Sequence, residues 1–199
     1  MEINGFRLFP SSLDLAAQTG LAEQVMAAAA EAPFYRPATP GGKAMSVLQT
    51  SFGPVGWVTD RAGYRYEAMH PQTGRPWPEM PASLLEIWRR HAPDAPLPDS
   101  CLINLYRGEA RMGLHQDADE LDFSVPVLSI SLGDTAIFRL GGETRSDPTR
   151  TLRLSSGDVC LLAGASRRFY HGVDRVLTGS SRLIPGGGRI NLTMRRANV

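Results

Sequence analysis

His115-Gln116-Asp117 sets an imidazole and a carboxylate two residues apart, a spacing that puts both on one side of an extended chain. A second imidazole, His171, stands in Phe-Tyr-His-Gly-Val, a strand-like run far downstream that can return beside the first pair. Two imidazoles and one carboxylate form the facial triad that leaves positions open on iron(II) for a cosubstrate and oxygen. Alone, such a spacing describes many histidines that merely pack or face water, so the triad needs support from elsewhere in the chain. His70 and His91 read as ordinary surface or packing residues.

The support comes from the last strand-like run. In Arg189-Ile190-Asn191-Leu192-Thr193-Met194-Arg195 the odd positions are polar and the even ones apolar, a period of two that sends both arginines to one face. Two guanidinium groups with Asn191 between them can bind a dicarboxylate through charge-assisted hydrogen bonds. A half-exposed strand with a solvated outer face would show the same pattern. Leu102, Asn104 and Tyr106 share a face by the same rule and offer further donors.

The elements that must position these groups fall into two regimes. Ser11 to Ala32 reads as an N-capped amphipathic scaffold helix ended by Pro33. Pro33 to Pro81 holds eight of the fifteen prolines and seven aromatics, among them Phe34, Tyr35, Trp57, Tyr64 and Tyr66. Long loop-rich insertions in compact domains are functional or disordered, and the aromatic density argues for a lid or recognition surface. Pro81 opens a second helix, Ala82 to His91, and the prolines between Pro93 and Pro98 close it. From Cys101 onward short apolar or alternating runs follow one another: Cys101 to Tyr106, Val125 to Leu132, Thr135 to Leu140, Thr151 to Leu154, Asp158 to Leu162, Arg168 to His171 and Arg189 to Arg196. Many short strands at this spacing indicate an antiparallel sandwich or barrel.

Composition bounds the function. A chain of 199 residues with 42% hydrophobic and 21% charged residues is the size of one domain. It has no apolar run long enough to span a bilayer, and its start lacks the basic-then-apolar order of a secretory signal, so a cytoplasmic protein is expected. Cys101 and Cys160 both lie in apolar strand-like runs, which predicts buried thiols and neither a disulfide framework nor a cysteine zinc site. The net charge of +1 conceals an asymmetry: Arg139 to Val199 carries eleven arginines against four acids, 11 − 4 = +7, leaving −6 for the rest. Such a basic half attracts phosphate or small carboxylates, although solvated arginines are the commoner cause.

The ordered set Asn104-Leu105-Tyr106, His115-Gln116-Asp117-Ala118-Asp119-Glu120, His171 and Arg189 to Arg195 resembles the AlkB family of 2-oxoglutarate-dependent dioxygenases. The resemblance runs from about Pro40 to Arg195. It takes in Ser46-Val47, Gly56-Trp57, Gly63-Tyr64, His70 to Pro78 and Ser129 to Gly133, which match the bacterial DNA-repair branch. It implies a mainly β fold with flanking helices (α+β), a double-stranded β-helix or jelly-roll core over about residues 100–199. A nucleotide-recognition lid over about residues 33–81 would complete a single domain. It also implies Fe(II) bound by His115, Asp117 and His171. Arg189, helped by Tyr106 and Asn191, would hold the distal carboxylate of 2-oxoglutarate, and Arg195 with Asn104 the carboxylate nearest the metal. Trp57 and the His115 ring would stack on a flipped base, Tyr64 and Arg145 would position the nucleotide, and Asp119 would accept from an exocyclic amine and favour cationic bases. Two positions depart from the repair pattern: Gln49 stands where a methionine is expected, and Ala118 where a lysine is.

The activity so implied is O2-dependent demethylation of 1-methyladenine and 3-methylcytosine in single- or double-stranded DNA, with RNA a further polymer. Formaldehyde is released and 2-oxoglutarate becomes succinate and carbon dioxide. The chain would act as a monomer and without a membrane. Two alternatives share the pattern: an oxygenase of the same core acting on a protein or transfer RNA, and a non-catalytic module binding carboxylate or nucleic acid.

Overall fold

The computed structural model describes residues 1–197. Two short strands, β1 (Glu2–Ile3) and β2 (Phe6–Phe9), precede helix α1 (Leu15–Glu31), and β3 (Leu48–Phe52), β4 (Gly56–Asp60) and β5 (Gly63–Glu67) lead to α2 (Ala82–His91). The remainder is β6 (Ser100–Tyr106), β7 (Met112–His115), β8 (Val127–Gly133), β9 (Thr135–Leu140), β10 (Arg150–Leu154), β11 (Val159–Leu162), β12 (His171–Leu177) and β13 (Arg189–Arg195). They build a seven-stranded antiparallel sheet in the order β1-β2-β11-β8-β13-β6-β3, a four-stranded sheet β10-β9-β12-β7 and the separate hairpin β4-β5. From β6 on, successive strands pass between the two antiparallel sheets, save that β9 and β10 pair within the small one, which is the jelly-roll arrangement.

The period of two decides which side chains meet which layer. On β6, Cys101, Ile103 and Leu105 point outward and pack under the two helices with Leu21, Val25, Leu84 and Trp88. Leu102, Asn104 and Tyr106 point inward. On β13, Ile190, Leu192 and Met194 join the helix-side core while Asn191, Thr193 and Arg195 face inward. The inner faces are otherwise filled by Phe6, Val127, Phe138, Leu154, Cys160, Leu162 and Val173, a second apolar cluster that forms the walls of the site. Both cysteines are buried and unbridged.

The structure corrects several sequence expectations. Helix α1 begins at Leu15, not beside Ser11: the Asp14 carboxylate accepts from the Ala17 amide at 2.8 Å and is the true N-cap. Ser11 sits at φ 49°, and its amide donates to Asp158 instead. Residues Arg168 to His171 are no strand; Gly164–Arg168 is a 3-10 turn fixed by the Ser166 hydroxyl, and the strand starts at His171. β8 starts at Val127, just after Pro126, which has no amide to give a ladder. Within 33–81 the expected loop contains β3, which extends the large sheet beside β6, and the β4-β5 hairpin. Of the two readings offered for His70, packing is the one that holds: it is fully buried between Tyr35 and Trp77, with Nε2 2.8 Å from the Pro33 carbonyl and Nδ1 accepting from the Gln72 and Thr73 amides.

Candidate active site

β7 ends at His115 and β12 begins at His171, and the two residues are direct partners across the pair, with ring centroids 4.6 Å apart. Gly172 permits this approach, because a Cβ there would lie 2.6 Å from the Met112 carbonyl oxygen and 2.8 Å from that of Gly113. Each imidazole is oriented in the same way. His115 Nδ1 lies 2.9 Å from the Gly113 carbonyl and His171 Nδ1 2.9 Å from that of Phe169. A carbonyl can only accept, so Nδ1 carries the proton and the Nε2 lone pair of each ring is free for a metal. The Asp117 carboxylate faces both, 3.7 Å from His115 Nε2 and 3.6 Å from His171 Nε2. The three ligand atoms lie within 4.8 Å of one another, a donor set and spacing that fit a divalent iron with positions left open.

Charge prepares the same groups. Burial alone would raise the Asp117 carboxyl, but Arg195, whose Nη2 is 2.7 Å from Oδ1, together with the two histidines holds it well below the ordinary carboxylate range. Withdrawal from water, then the neighbouring His171, push His115 down to about 4, although 39% of its side chain stays open at the mouth of the cavity. At neutral pH the pair therefore presents one neutral imidazole and one carboxylate, the protonation states that ligate metals.

The remaining sequence-predicted residues surround a cavity of about 790 Å³, open mouth included. Asn104, Tyr106, Asn191 and Arg195 line it along with Trp57, Asp119 and all three candidate ligands. Arg189 lies just behind the wall, 1% exposed, its Nη2 2.8 Å from Ser131 Oγ and its Nη1 3.2 Å from the carbonyl of Leu154, itself a lining residue. No carboxylate pairs with it among the described residues, and its Nε is buried without a partner. A buried guanidinium that keeps an unsatisfied N–H is costly unless an anion joins it, so this position fits a carboxylate-bearing cosubstrate. Burial raises the Tyr106 hydroxyl to about 12, which keeps it a donor. Asn191 lines the cavity too, with its amide NH2 donating to Ser129 Oγ at 2.7 Å and to the Ile130 carbonyl at 3.0 Å and its carbonyl accepting from Thr193. These bonds brace β13 against β8.

Around the mouth, Trp57 on β4 stacks on Tyr64 of β5, with centroids 5.5 Å apart and planes within 16°. Its indole N–H donates to Asp119 Oδ2 at 2.6 Å, which clips the hairpin to the loop after the metal-ligating pair. Asp119 is thus fixed beside the cavity with its other oxygen uncommitted to Trp57. Tyr64 is half exposed. Arg145 is exposed, lies over the Tyr170 ring at 6.0 Å and does not line the main cavity.

Sequence reading missed a buried ionic network beneath this loop. Glu120, which looks like a member of a solvated acidic run, is 4% exposed. It accepts from Arg167 Nη2 at 2.7 Å and from the Tyr66 hydroxyl of the hairpin, while Arg167 also donates to the carbonyls of Val125 and Asp117. The cavity's apolar lining, Met45, Met112 and Phe138, was equally unmarked, because apolar residues carry no chemical signature of what they face.

A profile of the 2OG-Fe(II) oxygenase superfamily matches residues 5–195. The chain is 60% identical over 197 residues to the alpha-ketoglutarate-dependent dioxygenase AlkB homolog of Caulobacter vibrioides (strain NA1000 / CB15N), a match covering 99% of this chain and 90% of the relative. It is 46% identical over 173 residues to the alpha-ketoglutarate-dependent dioxygenase AlkB of Escherichia coli (strain K12), covering 85% of this chain and 80% of the relative. Among solved structures, that of OsALKBH1 superposes with a TM-score of 0.81 at 29% identity, covering 98% of this chain and all of that one.

Proposed function

Because the chain belongs to the 2OG-Fe(II) oxygenase superfamily and, within it, to the AlkB family, we propose that it removes the methyl groups of 1-methyladenine and 3-methylcytosine in DNA and also in RNA. It is an Fe(II)- and 2-oxoglutarate-dependent dioxygenase, and its broad activity is oxidative demethylation of alkylated nucleic acid. The bound iron supplies the oxygen chemistry, with O2 and 2-oxoglutarate as its co-reactants and succinate and carbon dioxide as their products.

The protein's own share is positioning. In this reading His115, Asp117 and His171 hold the metal, and Arg195 keeps the Asp117 carboxylate charged and aimed. Arg189 and Tyr106 receive the distal carboxylate of 2-oxoglutarate, and Arg195 with Asn104 the proximal one. Trp57 and the open face of His115 hold the flipped base, Tyr64 supports Trp57 from behind, and Arg145 contacts the nucleotide from outside the cavity. Asp119 meets the base with a negative charge, which suits lesions whose methyl group makes the ring cationic. Residues 33–81 serve as the lid of a single domain, and the chain works as a monomer in the cytoplasm.

The observation that carries this reading is Arg189: a buried cation with no carboxylate partner among the described residues, beside a cavity that also holds two imidazoles and a carboxylate at metal-binding distance. Mass spectrometry of oligonucleotides carrying either lesion, incubated with iron(II) and 2-oxoglutarate, tests it. Loss of one methylene unit per lesion with matching succinate and formaldehyde is expected. Succinate formed with both bases left methylated, in single and double strands alike, would reject the repair reading in favour of a protein or transfer-RNA substrate.

A further inference from the structure

The inward row across the large sheet runs Gln49 on β3, Asn104 on β6 and Asn191 on β13, each directly opposite the next. Residues so paired have side chains close enough to interact. Asn191 makes no hydrogen bond to Asn104, its NH2 being committed to Ser129 and Ile130 and its carbonyl accepting from Thr193. Gln49 does: its Nε2 donates to Asn104 Oδ1 at 2.8 Å, with Gln49 1% and Asn104 5% exposed. Gln49 itself is held by a reciprocal pair of backbone hydrogen bonds with Tyr35, at 2.8 and 3.0 Å. Both carboxamides line the cavity that contains Arg195 and the metal-ligand set.

A carboxamide has two faces, a donor and an acceptor, and can turn either toward a ligand. Once Oδ1 of Asn104 is occupied by Gln49, only its NH2 is left for the cavity. An anion there meets a donor; the opposite rotamer would present it with a carbonyl oxygen. The glutamine meets this requirement at a cost, because its own Oε1 is buried with no partner. A methionine, the residue expected at this position, would carry no such orphan and could not fix the amide.

We propose that Gln49 is a positioning residue for the cosubstrate: it locks the Asn104 carboxamide with its NH2 toward the cavity, so that the carboxylate of 2-oxoglutarate nearest the metal is received by a fixed donor. The proposal rests on the assignment of Asn104 to that carboxylate. It assigns this chain a cosubstrate-binding device in a position the sequence resemblance marks only as a departure.

The test is a double-mutant cycle read by binding. Anaerobic titration of 2-oxoglutarate into the Mn(II)-loaded protein gives its Kd for wild type, Gln49→Met, Asn104→Ala and the double variant, with Mn(II) affinity and melting temperature measured alongside. Gln49→Met should raise the 2-oxoglutarate Kd about tenfold and leave the Mn(II) Kd unchanged, and it should add nothing once Asn104 is alanine. Gln49→Glu, which cannot donate and would draw the Asn104 NH2 away from the cavity, should weaken 2-oxoglutarate more than Gln49→Met does. An unchanged Kd in Gln49→Met, an effect undiminished in the Asn104→Ala background, or a parallel loss of metal affinity and stability would each overturn the proposal. Asn104→Ala with wild-type affinity would instead strike the assignment of Asn104 beneath it, and the proposal with it.

Discussion

Arg167→Met removes a cation whose side chain is 2% exposed from a carboxylate, Glu120, whose side chain is 1% exposed. Breaking a buried pair costs about 3–5 kcal/mol, and the lower part of that range applies here because Glu120 keeps the more distant Arg195, whose Nε is 3.6 Å away, and the Tyr66 hydroxyl. The same guanidinium also donates to the carbonyls of Val125 and Asp117, so two buried acceptors lose their donor at once. Because these losses share one side chain they do not add in full, and about 4–5 kcal/mol is the expected total. A domain of this size has about 5–15 kcal/mol in all, so the variant should unfold at a markedly lower urea concentration. Pairing the change with Glu120→Leu removes the stranded charge and should recover at least about 1 kcal/mol relative to the sum of the two single effects. The measurement is equilibrium urea unfolding of the four proteins followed by tryptophan fluorescence and circular dichroism. A single-variant loss under about 1 kcal/mol, the range of exposed ion pairs, would refute the claim that this network anchors the loop after the metal-ligating pair.

Four further outcomes follow from the site. His171→Ala should abolish turnover and weaken Mn(II) binding, since two ligands remain; near-normal activity at saturating metal would sink the triad. Arg189→Met should raise the 2-oxoglutarate concentration needed for half-maximal rate while metal affinity holds, and an unchanged requirement would return that arginine to a purely structural role. Trp57→Ala should weaken binding of a methylated oligonucleotide by about 1–3 kcal/mol, the usual effect of losing one stacking platform, and a loss confined to 2-oxoglutarate binding would show that the ring is wall and not platform. His115 has a folded-state pKa of about 4 against an unfolded value of 6.5. The metal-free protein should therefore lose stability as pH falls from 6.5 toward about 4, and His115→Gln should flatten that part of the profile in pH-dependent thermal melts.

Legibility in the sequence followed the strength of local periodicity. The alternation of Arg189 to Arg195 specified the strand and which residues share a face, but not that the polar face turns inward, because a solvated outer face has the same period and only the fold buries both faces of β13. Helix α2 was equally plain, with a proline at its start and prolines beyond its end. The turn before His171 was not, since Ser166 fixes it through hydrogen bonds that resemble nothing in a period-two or helical pattern. The burial of Glu120 carries no sequence signal for a related reason. Its neighbours Asp119 and Leu121 are exposed, and the cation that draws Glu120 inward comes from a turn 47 residues away. Pair distance in the fold, not residue type, decides whether such an acid is solvated. Charge asymmetry was misleading in part: Arg167, Arg189 and Arg195 belong to the interior, so the basic half is less basic at its surface than its formula.

The buried network also explains how the β4-β5 hairpin can share one geometry with the His115, Asp117 and His171 cluster on the sheets. Tyr66 of the β4-β5 hairpin donates to Glu120, and the Arg195 Nε lies 3.6 Å from the same carboxylate oxygen, while Arg195 Nη2 holds Asp117 Oδ1. On the far side Arg167 ties Glu120 to the Asp117 backbone. Trp57, on the partner strand and directly opposite Tyr66, is clipped by Asp119 in the same loop. The hairpin therefore meets the loop after the metal-ligating pair at two successive residues, Asp119 by an indole N–H and Glu120 by a phenol, and neither contact can shift alone. A displacement of the hairpin must disturb the bond from Tyr66 to the buried Glu120 carboxylate or the bond from the Trp57 indole to Asp119, and both hold Trp57 at a fixed separation from Asp117. In the proposed reaction, placing a methyl group relative to the metal would need this rigidity, because catalysis by positioning is lost over displacements of about 1 Å.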